Sequence, residues 1–440
     1  MVDSRMRKFL YSAKWRMYHP TAFACFGEIS ANEKLSVDEL MMQQEVARQK
    51  LVRSAMTTSV FYRKHYGSVG FEFGDIGKDG WFETLPIVTK QHIREHFEEI
   101  IDPANKQFLR ISTTGGSTGM PTKTGYDRRI PEEVYSWRLQ SRFGVHPWDD
   151  HAYIWRDRRA SKLAKFKNAL MWWPTKHLKL DASFMTDASI AEFLTKFNKL
   201  KPALLQGYVG AVSQVAQYVI DHGLKMWSPK VVWTTSAPLS NVQRALIMKA
   251  FGAPVCDEYG SCECRWIACQ CEECKGLHVN VEHVHIEFVD GDNQPVPKGE
   301  YGRTLITNLE DTVFPLIRYE NNDRGRWLVE PCACGRSLPC IDSVKGREVE
   351  SFVLPSGKTI NGEYLTTIFD ATPDVATNFK VIQHKDLSIT IEYVPGAREI
   401  PTSIPLNFKK AIGDEVPVEF KKVDAIAHDR GKIRYVVREK

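Results

Sequence analysis

The residues of this chain best equipped for chemistry fall in two stretches. The first is Ser112-Thr113-Thr114-Gly115-Gly116-Ser117-Thr118-Gly119-Met120-Pro121-Thr122. Its glycines let backbone N–H groups turn toward an anion, and the Ser and Thr hydroxyls beside them suit a phosphate cradle. No Gly-Lys-Ser/Thr follows at the offset a P-loop needs, so this is not a P-loop, and taken alone such a stretch fits a plain flexible loop as well as a phosphate cradle. The second stretch is rich in cysteine. Nine of the ten Cys run from Cys256 to Cys340: Cys256, Cys262, Cys264, Cys269, Cys271, Cys274, Cys332, Cys334 and Cys340. Clustered thiols in a large chain without a secretory signal point to metal ligation more than to disulfides.

The glycine-rich loop resembles the signature loop of adenylate-forming enzymes, the superfamily of acyl-CoA synthetases, adenylation domains and luciferases. Its usual form is Thr/Ser-Ser-Gly-Ser/Thr-Thr-Gly-Lys-Pro, and Met120 stands here in place of the Lys. Further motifs follow in the superfamily's order. Ser236-Ala237-Pro238 resembles its adenine-contacting loop, and Glu258-Tyr259-Gly260-Ser261-Cys262-Glu263 is similar to its Tyr-Gly-x-Thr-Glu motif, with Cys262 in the Thr position. Pro315-Leu316-Ile317-Arg318-Tyr319-Glu320-Asn321-Asn322-Asp323 resembles the segment that ends in a ribose-binding Asp. Lys345-Gly346-Arg347 resembles the hinge, and Gly431-Lys432 the C-terminal Gly-Lys motif. The resemblance implies a nucleotide site made of Thr114, Gly115, Gly116, Ser117, Thr118, Gly119, Ser236, Ala237, Pro238, Glu258, Tyr259, Gly260, Ser261, Cys262, Asp323 and Arg347. It implies that Lys432, Glu263 and Thr118 are catalytic, with Mg2+ at Glu263, a hard carboxylate of the kind that ion requires.

Within the superfamily the chain looks like the compact phenylacetate–CoA ligase branch. Val60-Phe61-Tyr62-Arg63, Leu85-Pro86-Ile87-Val88-Thr89-Lys90 and Leu205-Gln206-Gly207-Tyr208 carry that resemblance. The branch has a Cys, a Gly-Leu-His and a Cys-x-Cys-Gly-Arg. These read here as Cys269, Cys271 or Cys274, then His278, then Cys332 and Cys334. Three thiolates and one imidazole make a closed structural Zn2+ site. Cys271 is favoured as the first thiolate and Cys274 is the runner-up. The implied reaction joins a small-molecule carboxylate to ATP, giving acyl-AMP and pyrophosphate, and then transfers the acyl group. CoA is the branch default as acceptor. An amine or hydroxyl in capsule or O-antigen polysaccharide biosynthesis, such as an amino sugar, is the alternative, and a non-catalytic scaffold of the same fold is a third. Trp137, Trp148, Trp155, Trp172 and Trp173 lie where the branch builds its acyl pocket, and each fits a core or interface position equally well.

The elements that must position these residues read as α/β, with strands alternating with helices. Ser36 and Glu39 form a capping box at the head of one long helix reaching Gly67. Helices are expected around residues 190–200 and 211–223, with Gly223 closing the second. Strands are expected at residues 151–155, 230–237, 253–260, 278–290, 301–309 and 387–394. The resemblance implies a large multi-sheet N-terminal domain (residues 1–345) holding the ATP, acyl and zinc sites. A small mobile α+β domain (residues 346–440) would carry Lys432.

Composition agrees with a globular chain. Hydrophobic residues make up 43% and charged residues 26%, too balanced for wholesale disorder. The net charge of +5 fits phosphate binding, and the Glu-rich surroundings of the cysteines argue against nucleic acid. With neither an apolar run long enough to span a bilayer nor a signal core, a cytoplasmic monomer or homodimer is expected. Arg5, Arg7, Lys8, Lys14 and Arg16 alternate with Phe9, Leu10, Tyr11, Trp15 and Met17. That pattern suits peripheral contact with an anionic membrane, although a helix packed on its own domain is the expected reading.

Overall fold

The computed structural model describes residues 4–113, 123–155, 170, 172–182, 185–273, 275–342, 344, 352–356, 359–360, 375–412, 415–426 and 436–439. Thr114, Gly115, Gly116, Ser117, Thr118, Gly119, Cys274, the hinge residues 345–347 and Lys432 lie outside them. The chain divides into two compact units.

The first unit comprises Met1–Tyr11, Phe143–Asp257 and Lys345–Lys440. Its sheet is ordered His177–Asp181, His151–Trp155, Leu204–Tyr208, Val231–Thr235, and then the strand that starts at Val255. The first four run parallel. Every residue of Leu204–Tyr208 and Val231–Thr235 is buried, as expected for parallel strands covered on both faces. The covering helices follow from their sequences. In Asp187–Leu200, Ile190, Phe193, Leu194 and Phe197 recur at helical spacing and are buried, while Thr186 and Ser189 form a capping box. Each Phe buried this way contributes about 1.5–3 kcal/mol. Val209–Asp221 ends as expected: Gly223 adopts φ 59°, Leu224 N donates to Val219 O and Gly223 N to Ile220 O, the two bonds of a Schellman motif.

The C-terminal residues of this unit form a four-stranded mixed sheet with the helix Ser403–Ile412. Val242, near the start of the helix Asn241–Phe251, belongs to their core. The unit boundary falls between Val344 and Lys345, and the residues beyond it group with Phe143–Asp257.

The second unit comprises Ser12–Arg142 and Glu258–Val344. Ser36 and Glu39 form their capping box, but the expected single helix is two. Val37–Thr58 stops because Ser59 is extended, with φ −91° and ψ 126°; its side chain then caps Val60–Gly67 by accepting from Tyr62 N. The strand expected over residues 278–290 is also two. Leu277–Val279 ends in a turn where His283 N and Val284 N both donate to Asn280 O, and Val284–Val289 begins a three-stranded antiparallel sheet with Gly302–Asn308 and Tyr319–Gly325. The antiparallel hairpin Leu109–Thr113 with Lys123–Asp127 brackets the glycine-rich residues. Asp311 anchors it: one carboxylate oxygen accepts from Asp127 N at 3.0 Å, and the other from Val313 N and Phe314 N at 2.9 Å. Burial pushes the Asp311 carboxyl up to about 7 against these three donors.

Candidate functional site

In the second unit the end of the strand Val255–Tyr259, the turn after it and the strand Tyr319–Gly325 come together. Tyr259 O–H donates to Asp323 Oδ2 at 2.9 Å. Asn321 Nδ2 donates to the same Asp323 oxygen at 2.7 Å and to the Tyr259 hydroxyl, and Asp323 N donates back to Asn321 Oδ1 at 3.0 Å. Burial and the facing Asp323 carboxylate hold the Tyr259 phenol well above its ordinary value, so it stays a donor. A β-bulge makes the arrangement: Leu305 pairs with Glu320 and Arg303 with Arg324, leaving three residues, 321–323, opposite Thr304 alone. Asn322 takes the left-handed φ of 64° that the excursion needs.

Glu263 lies beside this network. Ser261 Oγ accepts from Glu263 N at 3.2 Å and Cys264 N at 3.0 Å, fixing the turn. Tyr319 O–H donates to Glu263 Oε1 at 3.0 Å. Gly260 fits a close approach, since a Cβ there would meet Glu258 Oε1 at 3.2 Å and Trp266 N at 3.3 Å. His283 holds the far end of the turn, with Nε2 donating to Arg265 O at 2.9 Å and Nδ1 facing Glu310 Oε2 at 2.8 Å. Cys262 is exposed. Arg318, within the same motif, is structural: it is 1% exposed, at φ 48°, and its guanidinium pairs with Glu287.

Ser236, Ala237 and Pro238 lie in the first unit, just after Val231–Thr235. Ser236 sits at φ 80°, a conformation rare without glycine and concentrated at functional turns. At the same carboxyl edge of the parallel strands, Trp155 packs on Tyr208 with centroids 4.4 Å apart. Ligands of open α/β sheets bind at that edge. The other Trp residues divide. Trp137 is buried among Trp15, Phe23 and Phe26, and is core. Trp148 stacks on His146, Trp172 packs against His177, and Trp173 is exposed.

The second unit also gathers Cys271, His278, Cys332 and Cys334, whose ligand atoms all lie within 4.8 Å of one another. Cys271 Sγ is 3.5 Å from Cys332 Sγ, and Cys334 Sγ is 3.4 Å from His278 Nε2. A tetrahedral Zn2+ with bonds of about 2.3 Å to sulfur and 2.0–2.1 Å to nitrogen needs separations of roughly 3.8 and 3.5 Å, so the donor set fits that ion. His278 Nδ1 is 3.1 Å from Leu338 O. A carbonyl can only accept, so Nδ1 carries the proton and Nε2 presents a lone pair to the thiols. Gly335, at φ 77°, turns the Cys-x-Cys-Gly-Arg segment. Burial opposes ionisation of Cys334, but the Arg336 backbone N–H and guanidinium outweigh it and lower its pKa. Cys269 is outside the group and donates to Gln270 O at 3.2 Å; Cys340 Sγ lies 3.3 Å from His278 Nδ1, the opposite ring edge.

Of the site residues the sequence singles out, Glu258, Tyr259, Gly260, Ser261, Cys262, Glu263 and Asp323 come together in one unit, and the Ser236 turn lies in the other. Sequence reasoning passed over Tyr319 and Asn321, although both lie inside the quoted motif. A Tyr and an Asn at alternate positions before Asp323 are the available signal.

No family profile matches the chain. It is 21% identical over 402 residues to a phenylacetate–coenzyme A ligase of Thermus thermophilus, covering 87% of this chain and 86% of that one. It is 25% identical over 248 residues to the protein CapK of Staphylococcus aureus; that match takes in 54% of this chain and spans about half of CapK (52%). Among solved structures it is similar to a 2-hydroxyisobutyryl-CoA ligase in the postadenylation state, with a TM-score of 0.73, 18% identity, and coverage of 90% and 89% of the two chains. The chain has the mixed α/β fold of adenylate-forming ligases, and in sequence it is phenylacetate–CoA ligase-like.

Proposed function

We propose that this protein is an adenylate-forming ligase that activates a small carboxylic acid with ATP and passes the acyl group to the thiol of CoA. The observation that carries the reading is the Tyr259–Asn321–Asp323 network beside the Tyr319-held Glu263. The carboxylate of Asp323 would accept from the vicinal hydroxyls of a ribose, and Tyr259 would offer its ring to a base. In the first step a substrate carboxylate oxygen attacks the α-phosphorus; the bond to the bridging oxygen breaks and pyrophosphate leaves. In the second the CoA sulfur attacks the acyl carbonyl, AMP leaves and the thiol proton passes to solvent. The first nucleophile is the substrate itself, so the protein's work is positioning and charge stabilisation. Residues 114–119 would hold phosphate oxygens, and Lys432 would approach the reacting carboxylate and α-phosphate. The C-terminal residues would turn about residues 345–347 between the two steps. Glu263 would hold Mg2+, whose charge neutralises phosphate oxygens when bound. Cys271, His278, Cys332 and Cys334 would hold a Zn2+ with no open position, a structural clasp that ties residues 271–278 to residues 332–334.

The test is product analysis. The protein is incubated with ATP, CoA and a panel of aryl, hydroxyalkyl and amino carboxylic acids, and products are read by mass spectrometry. An acyl-CoA and AMP in equal amounts support the reading. AMP formed only when an amine or amino sugar replaces CoA would move the acceptor to nitrogen. A chain that binds ATP but forms neither AMP nor pyrophosphate is a scaffold.

A further inference from the structure

The N-terminal helix Ser4–Tyr18 has one engaged side and one free apolar side. On the engaged side Arg7 pairs with Asp150 and donates to Pro174 O, Tyr11 is buried, and Trp15 packs edge-on against Trp137 at 4.9 Å. The other side carries Met6, Phe9, Ala13 and Met17, spaced i, i+3, i+7 and i+11, which is a single helical stripe. All four are exposed, with Met6 at 53%, Phe9 at 68% and Met17 at 81%. A packed helix hides its apolar stripe and turns its charges outward. This helix pairs a charged residue inward and leaves Met and Phe in water.

Cations run along one edge of the stripe. Arg5 and Arg16 project beside it and are exposed; Lys8, also exposed, lies further round with its ammonium 5.2 Å above the Trp148 ring. Residues 4–27 contain no Asp or Glu. A protein partner would need only a matching apolar groove, whereas an apolar stripe edged by Arg5 and Arg16 on a helix without an acidic residue matches an anionic lipid surface, where Phe and Met enter the acyl boundary and the cations meet headgroup phosphates. We infer that Ser4–Tyr18 is an interfacial helix that docks the protein on anionic membrane, with Met6, Phe9 and Met17 as the inserted residues. This surface is independent of the ligase reading, and its test does not use activity. It has no transmembrane character; no helix among the described residues is long and apolar enough to cross a bilayer.

The experiment is co-sedimentation of the full chain with phosphatidylcholine vesicles, with and without about a quarter phosphatidylglycerol, at low and physiological salt. Binding to the anionic vesicles is expected, at least about tenfold weaker to neutral ones and weakened by salt. Phe9→Ser with Met17→Ser should lower the partition coefficient by at least about tenfold for each side chain. Arg5→Gln with Arg16→Gln should lower it about fivefold for each cation. All four positions are exposed, so unchanged melting temperatures keep lost binding separate from misfolding. No binding to anionic vesicles at low salt overturns the inference, as does binding that ignores both pairs of substitutions. A dimer in sedimentation equilibrium that Phe9→Ser/Met17→Ser dissolves assigns the face to a second copy and also overturns it.

Discussion

Replacing Tyr319 by Phe removes one oxygen and nothing else. Tyr319 is 1% exposed and its ring packs in the core with Phe314, Leu316 and Ile317, so Phe keeps the shape and the apolar contacts. What is lost is the donor to Glu263 Oε1 at 3.0 Å. Glu263 is only 8% exposed, so water replaces that donor poorly. A hydrogen bond to a charged group contributes about 1.5–3 kcal/mol, which converts to roughly 10- to 150-fold in an equilibrium or a rate. Part of that will be recovered as Glu263 rotates, so kcat/KM for MgATP in pyrophosphate exchange should fall about 10- to 100-fold. The Mg2+ concentration for half-maximal exchange should rise by a similar factor, because the freed carboxylate must be ordered by the ion. Glu263→Gln should fall further, and adding Tyr319→Phe to it should cost little more, since the two act as a unit. Exchange and Mg2+ dependence within twofold of the unsubstituted protein would refute the claim that Tyr319 positions Glu263.

Other outcomes follow from single contacts. Gly125→Ala would put a Cβ 2.5 Å from Leu109 Cδ1 and 3.0 Å from Phe314 Cγ, inside the hairpin that flanks residues 114–122. It should cost about 1–3 kcal/mol in urea unfolding and raise the KM for ATP, and an unchanged midpoint would count against this packing. Purified protein should contain one zinc per chain by plasma mass spectrometry. Cys334→Ser should lose it with a lowered melting temperature, whereas Cys269→Ser should retain it. The pH dependence tests His283. Burial alone would push this imidazole down, yet Cys264 and the Glu310 carboxylate at Nδ1 hold it well above its ordinary value. A raised folded-state pKa gives stability that is full below the unfolded value of about 6.5 and is lost as pH rises through the folded one. The stability gap between the unsubstituted protein and Glu310→Gln should therefore be widest below about pH 6.5 and close as pH rises; a gap that widens with pH contradicts the pairing.

Local rules made much of the fold legible. The Ser36–Glu39 box, the apolar spacing of Ile190, Phe193, Leu194 and Phe197, and the strand at residues 151–155 are encoded within a few residues each, and the structure keeps them. The structure departs from the periodicity where a local hydrogen bond interrupts it. The Ser59 side chain caps a second helix by accepting from Tyr62 N, and the Asn280 main-chain carbonyl closes a turn by accepting from His283 N and Val284 N; neither shows in a hydrophobic pattern. The site was half legible for the same reason. Motif order pointed to Tyr259, Glu263 and Asp323, but the roles of Tyr319 and Asn321 depend on a bulge opposite Thr304, which exists only once two strands pair. The choice among Cys269, Cys271 and Cys274 is likewise a matter of distance. Spacing favours Cys271 without excluding the other two, and the structure brings Cys271 to Cys332 and leaves Cys269 on a backbone carbonyl, with Cys274 outside the described residues.

Carboxylate-dependent exchange of labelled pyrophosphate into ATP, run over the acid panel without CoA, tests adenylate formation most directly. Exchange with at least one acid is expected, dependent on Mg2+ and reduced to background in Asp323→Ala and Lys432→Ala. Exchange with no acid above the Lys432→Ala background would contradict the account, and so would exchange that survives both substitutions.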